Sequence, residues 1–541
     1  MMNLQARDWI ERHVERVQPL RRSYCLAHWD ASISGRAEDY KLAASLEIEL
    51  RTIHSDADDF DTVRRMRQND KITDPLIRRQ LDLLYLEYLE NQIPKELLEP
   101  LVRKSREVEN VFNTFRARLG DGELTDNQIR DILLHERDSG RRRQAWEASK
   151  QVGMEVASLA LEVVRLRNEA ARHLGFADFY VMSITLQEQD TRELERLFDD
   201  LSSSTRELFR HIKAEMDATL ADRYGVSAGA LMPWHYGDPF FQEAPRVLDY
   251  DLDAAYRNRD VVSLAGDFFR RIGLPADDIL QHSDLYEKDG KEQHAYCMDI
   301  DRQGDIRILA NVRNDERWME TLLHELGHAI YDKSIDPELP YLLRSAAHTL
   351  TTEAIAMFFE RRSRSVEFAR RLLALSETAS TRHAEAAGRL LRYDRLVFSR
   401  WVQVMVRFER ALYENPDRDL NRLWWDLVEQ YQEVQRPRHE RGADWASKIH
   451  IVTNPVYYHN YMLGEILASQ LQHTLSRRLG TTDSGNGYGH SFVDRPEASA
   501  FLREHFLRHG ARLHWRDLVL QATGEALSAG HFAAQFIDSS G

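Results

Sequence analysis

His324-Glu325-Leu326-Gly327-His328 decides the reading of this chain, together with its flanks Trp318-Met319-Glu320-Thr321-Leu322-Leu323 and Ala329-Ile330-Tyr331. Apolar residues recur here at intervals of three and four, so the spacing predicts a helix. Residues four apart on a helix share a face, which lets the imidazoles of His324 and His328 converge on one metal ion. Glu325, one step round, then points beside that ion, where a carboxylate can take a proton from water. The pattern H-E-x-x-H is thus minimal equipment for hydrolysing an amide bond. The bland alternative is a surface helix that happens to carry two histidines. Leu322, Leu323, Leu326, Ala329 and Ile330 argue against it, because two imidazoles and a carboxylate in a largely buried helix are costly unless paired or metal-bound. Gly327 sits mid-helix at a cost of about 1 kcal/mol relative to Ala, which predicts that another backbone approaches there.

A hydrolytic zinc site needs a third protein ligand and one open position. Downstream, Thr349-Leu350-Thr351-Thr352-Glu353-Ala354-Ile355-Ala356-Met357-Phe358-Phe359-Glu360 reads as a second helix, separated from the first by Pro337 and Pro340. Glu353 is the best candidate ligand and His348 its rival. A carboxylate in a first helical turn is also simply favoured by the helix dipole, so the residues alone leave the choice open.

The 541-residue chain is long enough for two to four domain-sized units. A hydrophobic content of 43% and a charged content of 30% describe a soluble globular protein. The net charge of −15 argues against nucleic acid or an anionic membrane as the main partner. Cys25 and Cys297 are the only cysteines, which predicts no disulfide framework and fits a reducing compartment. Met1 to Trp9 lacks the apolar core of a signal peptide, and no run of 18 apolar residues occurs. The expectation is a cytoplasmic protein that does not enter a membrane.

From residue 3 to about 223 the pattern is helix after helix, as in Tyr40 to Arg51, Asp74 to Leu89, Gln144 to Leu174 and Arg192 to Arg223. Asp74-Pro75 reads as an N-cap followed by proline at the first helical position. Gly120-Asp121-Gly122, Asp138-Ser139-Gly140 and Gly175 read as breaks. Residues 224–250 gather Gly225, Gly229, Pro233, Gly237, Pro239 and Pro245 among aromatics, a structured loop region. Residues 284–312 contain the clearest β-hairpin: His294 to Ile300, a turn at Asp301 to Asp305, then Ile306 to Ala310. Helices resume from about 316. Thr481 to His490, with Gly485, Gly487 and Gly489, reads as a mobile loop; its glycines neither follow a strand nor open a helix, as a phosphate-binding loop would.

The sequence resembles the angiotensin-converting enzyme-like zinc metallopeptidases (gluzincins acting as peptidyl-dipeptidases), and more distantly thimet oligopeptidase and oligoendopeptidase F. The likeness rests on the zinc motif, on Trp424-Trp425-Asp426-Leu427 with Tyr431-Gln432-Glu433-Val434, and on Lys448-Ile449-His450 with Tyr458-His459-Asn460-Tyr461. Arg165 to Gly175 and Arg503 to Leu527 also resemble family segments, so the likeness covers essentially the whole chain. It implies a mainly α, two-lobed helical fold over residues 1–541 enclosing a deep channel. Residues 284–312 would form a substrate-aligning hairpin and 318–365 the zinc-site helices. Another helical H-E-x-x-H family, of carboxypeptidases, carries its third ligand in an H-E-S-Q-like segment. Thr352-Glu353-Ala354-Ile355 does not match it.

By this resemblance one Zn2+ is held by His324, His328 and Glu353, with Glu325 as general base. His450 and Tyr461 match the donors to the oxyanion of the tetrahedral intermediate. Lys448, Tyr458 and Gln242 match a clamp for the free C-terminal carboxylate of a short peptide. Pairing Tyr458 rather than Tyr457 with Tyr461 needs one inserted residue after His450, and Gln242 also reads as a plain loop glutamine. Lysine is scarce here, with 10 against 63 arginines, which sets Lys448 apart. His294 and Ala295 match the start of the strand that aligns substrate by main-chain hydrogen bonds. The positions of the chloride-binding arginines carry Val428 and Asn460, so chloride activation is not expected. The implied activity is release of C-terminal dipeptides, with endo-acting cleavage or an inactive peptide-binding homologue as alternatives.

Overall fold

Several helix starts in this chain are written by side-chain caps. Asp74 Oδ1 accepts from the backbone N–H of Leu76 (2.9 Å) and Ile77 (3.2 Å), and Pro75 opens the helix Pro75–Glu90. Asp190 caps Thr191–Tyr224 in the same way, and Asp315 caps Glu316–Ser334. The computed structural model describes residues 1–120, 122–438, 442–481 and 491–537. Among these the fold is mainly α, and its named strands form two antiparallel pairs. Strands β1 (Ala117–Leu119) and β2 (Gly122–Leu124) make one pair, and β3 (Tyr296–Asp299) and β4 (Ile306–Leu309) the other. No helix among the described residues is long and apolar enough to cross a membrane.

The chain divides into two compact units. The first gathers Met1–Gln92, Tyr250–Gly388 and Leu463–Gly541; the second gathers Ile93–Asp249 and Arg389–Met462. In the first unit, Ala6 and Ile10 of the opening helix pack with Ile77, Leu81, Leu84 and Tyr88 of Pro75–Glu90. Further along the opening helix, Cys25 and Trp29 pack on Ile300 and Leu309, which seats the β3–β4 hairpin on that helix. The hairpin register pairs Cys297 with Ile308 and Met298 with Arg307.

The second unit is built around aromatic side chains. Trp401 and Trp424 meet edge to face at 5.8 Å, and Trp146 and Trp425 lie 6.1 Å apart. The helix expected over Gln144 to Leu174 is broken at Lys150 into Ser139–Ser149 and Gln151–His173. Two tertiary contacts account for the break. The Lys150 side chain is buried and donates to Pro239 O at 2.9 Å, and a Cβ on Gly153 would meet Ala443 O at 2.3 Å. Neither leaves a mark on the apolar periodicity.

Other local expectations shift by small amounts. Gly122, expected as part of a plain break, opens β2 and pairs with Leu119 of β1, and Asp121 lies outside the described residues. Strand β3 begins at Tyr296, so His294 and Ala295 lie in the segment leading into it. The loop expected over Thr481 to His490 falls, from residue 482 on, outside the described residues.

Candidate metal centre

Two helices of the first unit build the centre. Glu316–Ser334 carries His324, Glu325 and His328, and Thr349–Glu360 carries Glu353. They touch at Gly327, where an added Cβ would lie 2.6 Å from Ala356 Cα and 3.1 Å from Ala356 N. Glycine at that point lets the backbones approach and brings side chains of both helices onto one locus. The helix Tyr458–Arg478 is admitted in the same way, since a Cβ on Gly464 would lie 2.9 Å from Glu353 Cβ. His348 caps the Glu353 helix, its Nδ1 accepting from Leu350 N–H at 2.9 Å, which gives the rival ligand a structural task.

One ligand atom each from His324, His328 and Glu353 lies within 4.8 Å of the others. His324 Nε2 and His328 Nε2 are 3.2 Å apart, and Glu353 Oε2 is 3.7 Å from His324 Nε2. The outer ring nitrogens are occupied. His324 Nδ1 is 2.7 Å from Glu360 Oε2, and His328 Nδ1 is 2.6 Å from Thr352 Oγ1. A carboxylate can only accept, so in neutral His324 the proton sits on Nδ1 and the lone pair on Nε2 turns inward. Glu360 and Thr352 are functional residues that the sequence reading passed over. Glu360 lies seven residues past Glu353, on the same helical face, and that spacing was the available signal.

The electrostatics fit a cation at this locus. Burial alone would lower His324, but the Glu360 hydrogen bond and charge, with Glu325 and Glu353, push it up to about 9. Burial, reinforced by the His324 charge, holds His328 well below the usual imidazole range. Burial raises Glu325, and it pushes Glu353 up to about 7. Among the described residues, buried Glu353 Oε2 has no hydrogen-bond partner. Protons alone satisfy this cluster poorly, and a divalent ion reverses the pKa logic for all of its members. Two imidazole nitrogens and one carboxylate are a donor set suited to zinc with one position left open. Glu325 is buried and accepts from the Cys297 backbone N–H of β3, which orients it. His294 and Ala295 precede that strand, and Asn311 Nδ2 fixes the segment leading to them by donating to Glu292 O and Gln293 O.

The remaining candidates belong to the second unit. Lys448 Nζ donates to Gln242 Oε1 at 2.7 Å and lies 5.5 Å from the centroid of the Tyr458 ring. Phe240 and Trp401 also flank the ammonium, at 5.1 and 5.3 Å. Burial lowers Lys448 to about 8, opposed by Asp238 and Glu243. Burial also raises the Tyr458 phenol. The His450 ring is 5.4 Å from Tyr458, and Tyr461 is 5.9 Å from Tyr458 and 5.1 Å from Tyr457. Tyr458 is thus a tyrosine that adjoins Lys448. Between His450 and Tyr458, Val456 takes a left-handed conformation at φ 54°, and its N–H donates to Glu409 Oε1 at 2.8 Å. Val428 is buried, and Asn460 is held by Gln187 and Gln189.

The family model for angiotensin-converting enzyme matches residues 2–236 and 242–536. The chain belongs to the angiotensin-converting enzyme family. It is 24% identical over 507 residues to angiotensin-converting enzyme-like protein Ace3 of Mus musculus, covering 86% of this chain and 67% of that one. It is 23% identical over 435 residues to the angiotensin-converting enzyme-related protein of Drosophila melanogaster, covering 73% and 68%. With angiotensin-converting enzyme of Bos taurus it shares 23% identity over 427 residues, 74% of this chain but 32% of the bovine one. The chain therefore spans about two thirds of the first two relatives and about a third of the third. Membership makes this a member of a zinc metallopeptidase family, and the donor set described above suits that metal.

Proposed function

We propose that this protein is a zinc peptidase that hydrolyses short peptides and releases C-terminal dipeptides. The observation that carries the reading is the convergence of His324, His328 and Glu353 within 4.8 Å, with Glu353 Oε2 having no hydrogen-bond partner among the described residues. These three residues would hold the ion. Bound zinc supplies Lewis acidity, polarising the scissile carbonyl and acidifying water. Glu325 receives the proton of the attacking water; its burial keeps it basic enough to accept and weak enough to give the proton on to the leaving amine. His450 and Tyr461 donate to the oxyanion. His294 and Ala295 align the peptide main chain beside β3. Lys448, Gln242 and Tyr458 clamp the terminal carboxylate, as the resemblance implies for an enzyme that releases C-terminal dipeptides. The clamp reading is supported by the 2.7 Å contact between Lys448 and Gln242.

The same reading makes activity independent of chloride, on Val428 and Asn460. It takes the protein as cytoplasmic, on the free thiols Cys25 and Cys297. The test is digestion of matched peptides, with free and amidated C-termini, by the zinc-loaded protein. Dipeptide release confined to the free acids is expected. Internal cleavage of both forms indicates an endopeptidase, and stoichiometric zinc with no cleavage indicates a peptide-binding homologue.

A further inference from the structure

Lys448 is held by a glutamine that sits on an irregular loop, and something must hold the loop. Gln242 lies in residues 237–243, where Gly237 (φ 98°) and Phe241 (φ 50°) both take left-handed backbone conformations. Such a path needs its amides satisfied from within, because no ladder or helix supplies acceptors. The Asp238 carboxylate supplies them. Its Oδ1 accepts from Phe240 N–H at 2.8 Å, and its Oδ2 accepts from Gln242 N–H at 3.0 Å and Glu243 N–H at 3.2 Å. Asp238 is itself only 6% exposed. Gln432 Nε2 meets the loop carbonyls of Phe240 and Phe241 at 3.0 and 2.7 Å, and Trp146 and Lys150 both donate to Pro239 O.

Asp238 also sets the charge balance around the loop. Two buried ammonium groups approach the Phe240 ring, Lys150 at 3.5 Å and Lys448 at 5.1 Å from its centroid. Asp238 is the carboxylate that favours the charged form of both, with Asp444 acting on Lys150 and Glu243 on Lys448. A neutral side chain here would remove one acceptor from the loop and one counter-charge from the clamp.

We propose that Asp238 is the positioning residue of the carboxylate clamp, folding residues 237–243 so that Gln242 and Lys448 stay aligned to receive a free peptide C-terminus. This rests on the dipeptide-releasing reading above and deepens it. Asp238 is a positioning residue that acts through Gln242 and, as a counter-charge, through Lys448.

The experiment compares wild type, Asp238→Asn, Gln242→Ala and the double variant, each zinc-loaded, on one peptide with a free and an amidated C-terminus. The expected result is a KM raised about tenfold by Asp238→Asn for the free acid, with kcat within about twofold and the amidated peptide unaffected. The double variant should lose less than the two single variants summed, because residues acting on one contact are not additive. A wild type that prefers the free acid and an Asp238→Asn variant that keeps this preference overturns the role of Asp238 and leaves the clamp standing. Equal loss on both peptides, or full additivity in the double variant, overturns it too. A wild type without any preference removes the clamp reading and this inference together. Should Asp238→Asn not fold, hydrogen exchange on the wild-type protein decides instead. Slow exchange at Phe240, Gln242 and Glu243 is expected, and exchange at the unprotected rate overturns the proposal.

Discussion

Glu360 Oε2 stands 2.7 Å from His324 Nδ1, seven residues beyond Glu353 on the same helix. One helix therefore supplies both a candidate ligand, Glu353, and the carboxylate that would orient the neighbouring candidate, His324. The arrangement fixes the His324 tautomer and raises the basicity of Nε2. Glu360→Ala is expected to weaken zinc affinity by roughly 10–100-fold. Competition against a chromophoric chelator measures it, and an unchanged affinity refutes the orienting role.

Glu325 carries the proton in the proposed reaction and contributes no ligand. Glu325→Gln keeps an oxygen for the Cys297 N–H but cannot accept a proton. Zinc content should stay at one per chain while kcat falls by roughly 10²–10⁴-fold. Elemental analysis beside single-turnover assays separates the two effects. Turnover close to wild type removes Glu325 as general base.

Gly327→Ala sets two effects against each other. Helix propensity favours alanine by up to about 1 kcal/mol. The new methyl, however, would lie 2.6 Å from Ala356 Cα, and the obstacle is backbone that cannot swing aside. Overpacking of this kind costs about 1–3 kcal/mol. A net loss of roughly 1–2 kcal/mol in urea unfolding is expected, with weaker zinc binding as the helices separate. A stabilised variant would show that the contact is not tight.

Acid should weaken the first unit through His13. Its ring stacks on Trp9, its Nδ1 lies 3.2 Å from Tyr88 Oη, and its buried Nε2 has no hydrogen-bond partner among the described residues. Burial, helped by His54 and Arg16 and opposed by Glu87 and Asp59, pushes it down to about 4 from 6.5. Above pH 6.5 both folded and unfolded forms are neutral and nothing is lost. As pH falls the unfolded chain takes up a proton that the fold resists, and the loss saturates below pH 4. The linkage amounts to about 2 kcal/mol at pH 5 and about 3 kcal/mol at saturation. Urea titrations at pH 7.5 and 5.0 measure it, and His13→Gln should flatten this part of the dependence. A slope that His13→Gln leaves intact assigns the effect elsewhere.

Much of the metal centre was legible because helical geometry is local. His324 and His328 share a face by their spacing alone, and Gly327 announced a close approach that proved to be Ala356. Choosing Glu353 over His348 needed the family resemblance, since either residue could have reached the locus. The structure then shows His348 engaged as a cap. Glu360 and Thr352 were in plain view within the same segment. Their role depends on which ring nitrogen they meet, and periodicity carries no information about that.

By itself the sequence determined that the fold is mainly helical, where some helices start, and which residues could bind a metal. Those properties follow from capping chemistry and the 3.6-residue repeat, which act within a few residues. Only the tertiary structure decided the break at Lys150, the turn at Val456 held by Glu409, and the loop folded around Asp238. The contact between Gln242 and Lys448 joins residues 206 apart in sequence, and each compact unit gathers segments from distant parts of the chain. Such contacts are chosen by burial and hydrogen-bond satisfaction in three dimensions. No short-range pattern along the chain encodes them.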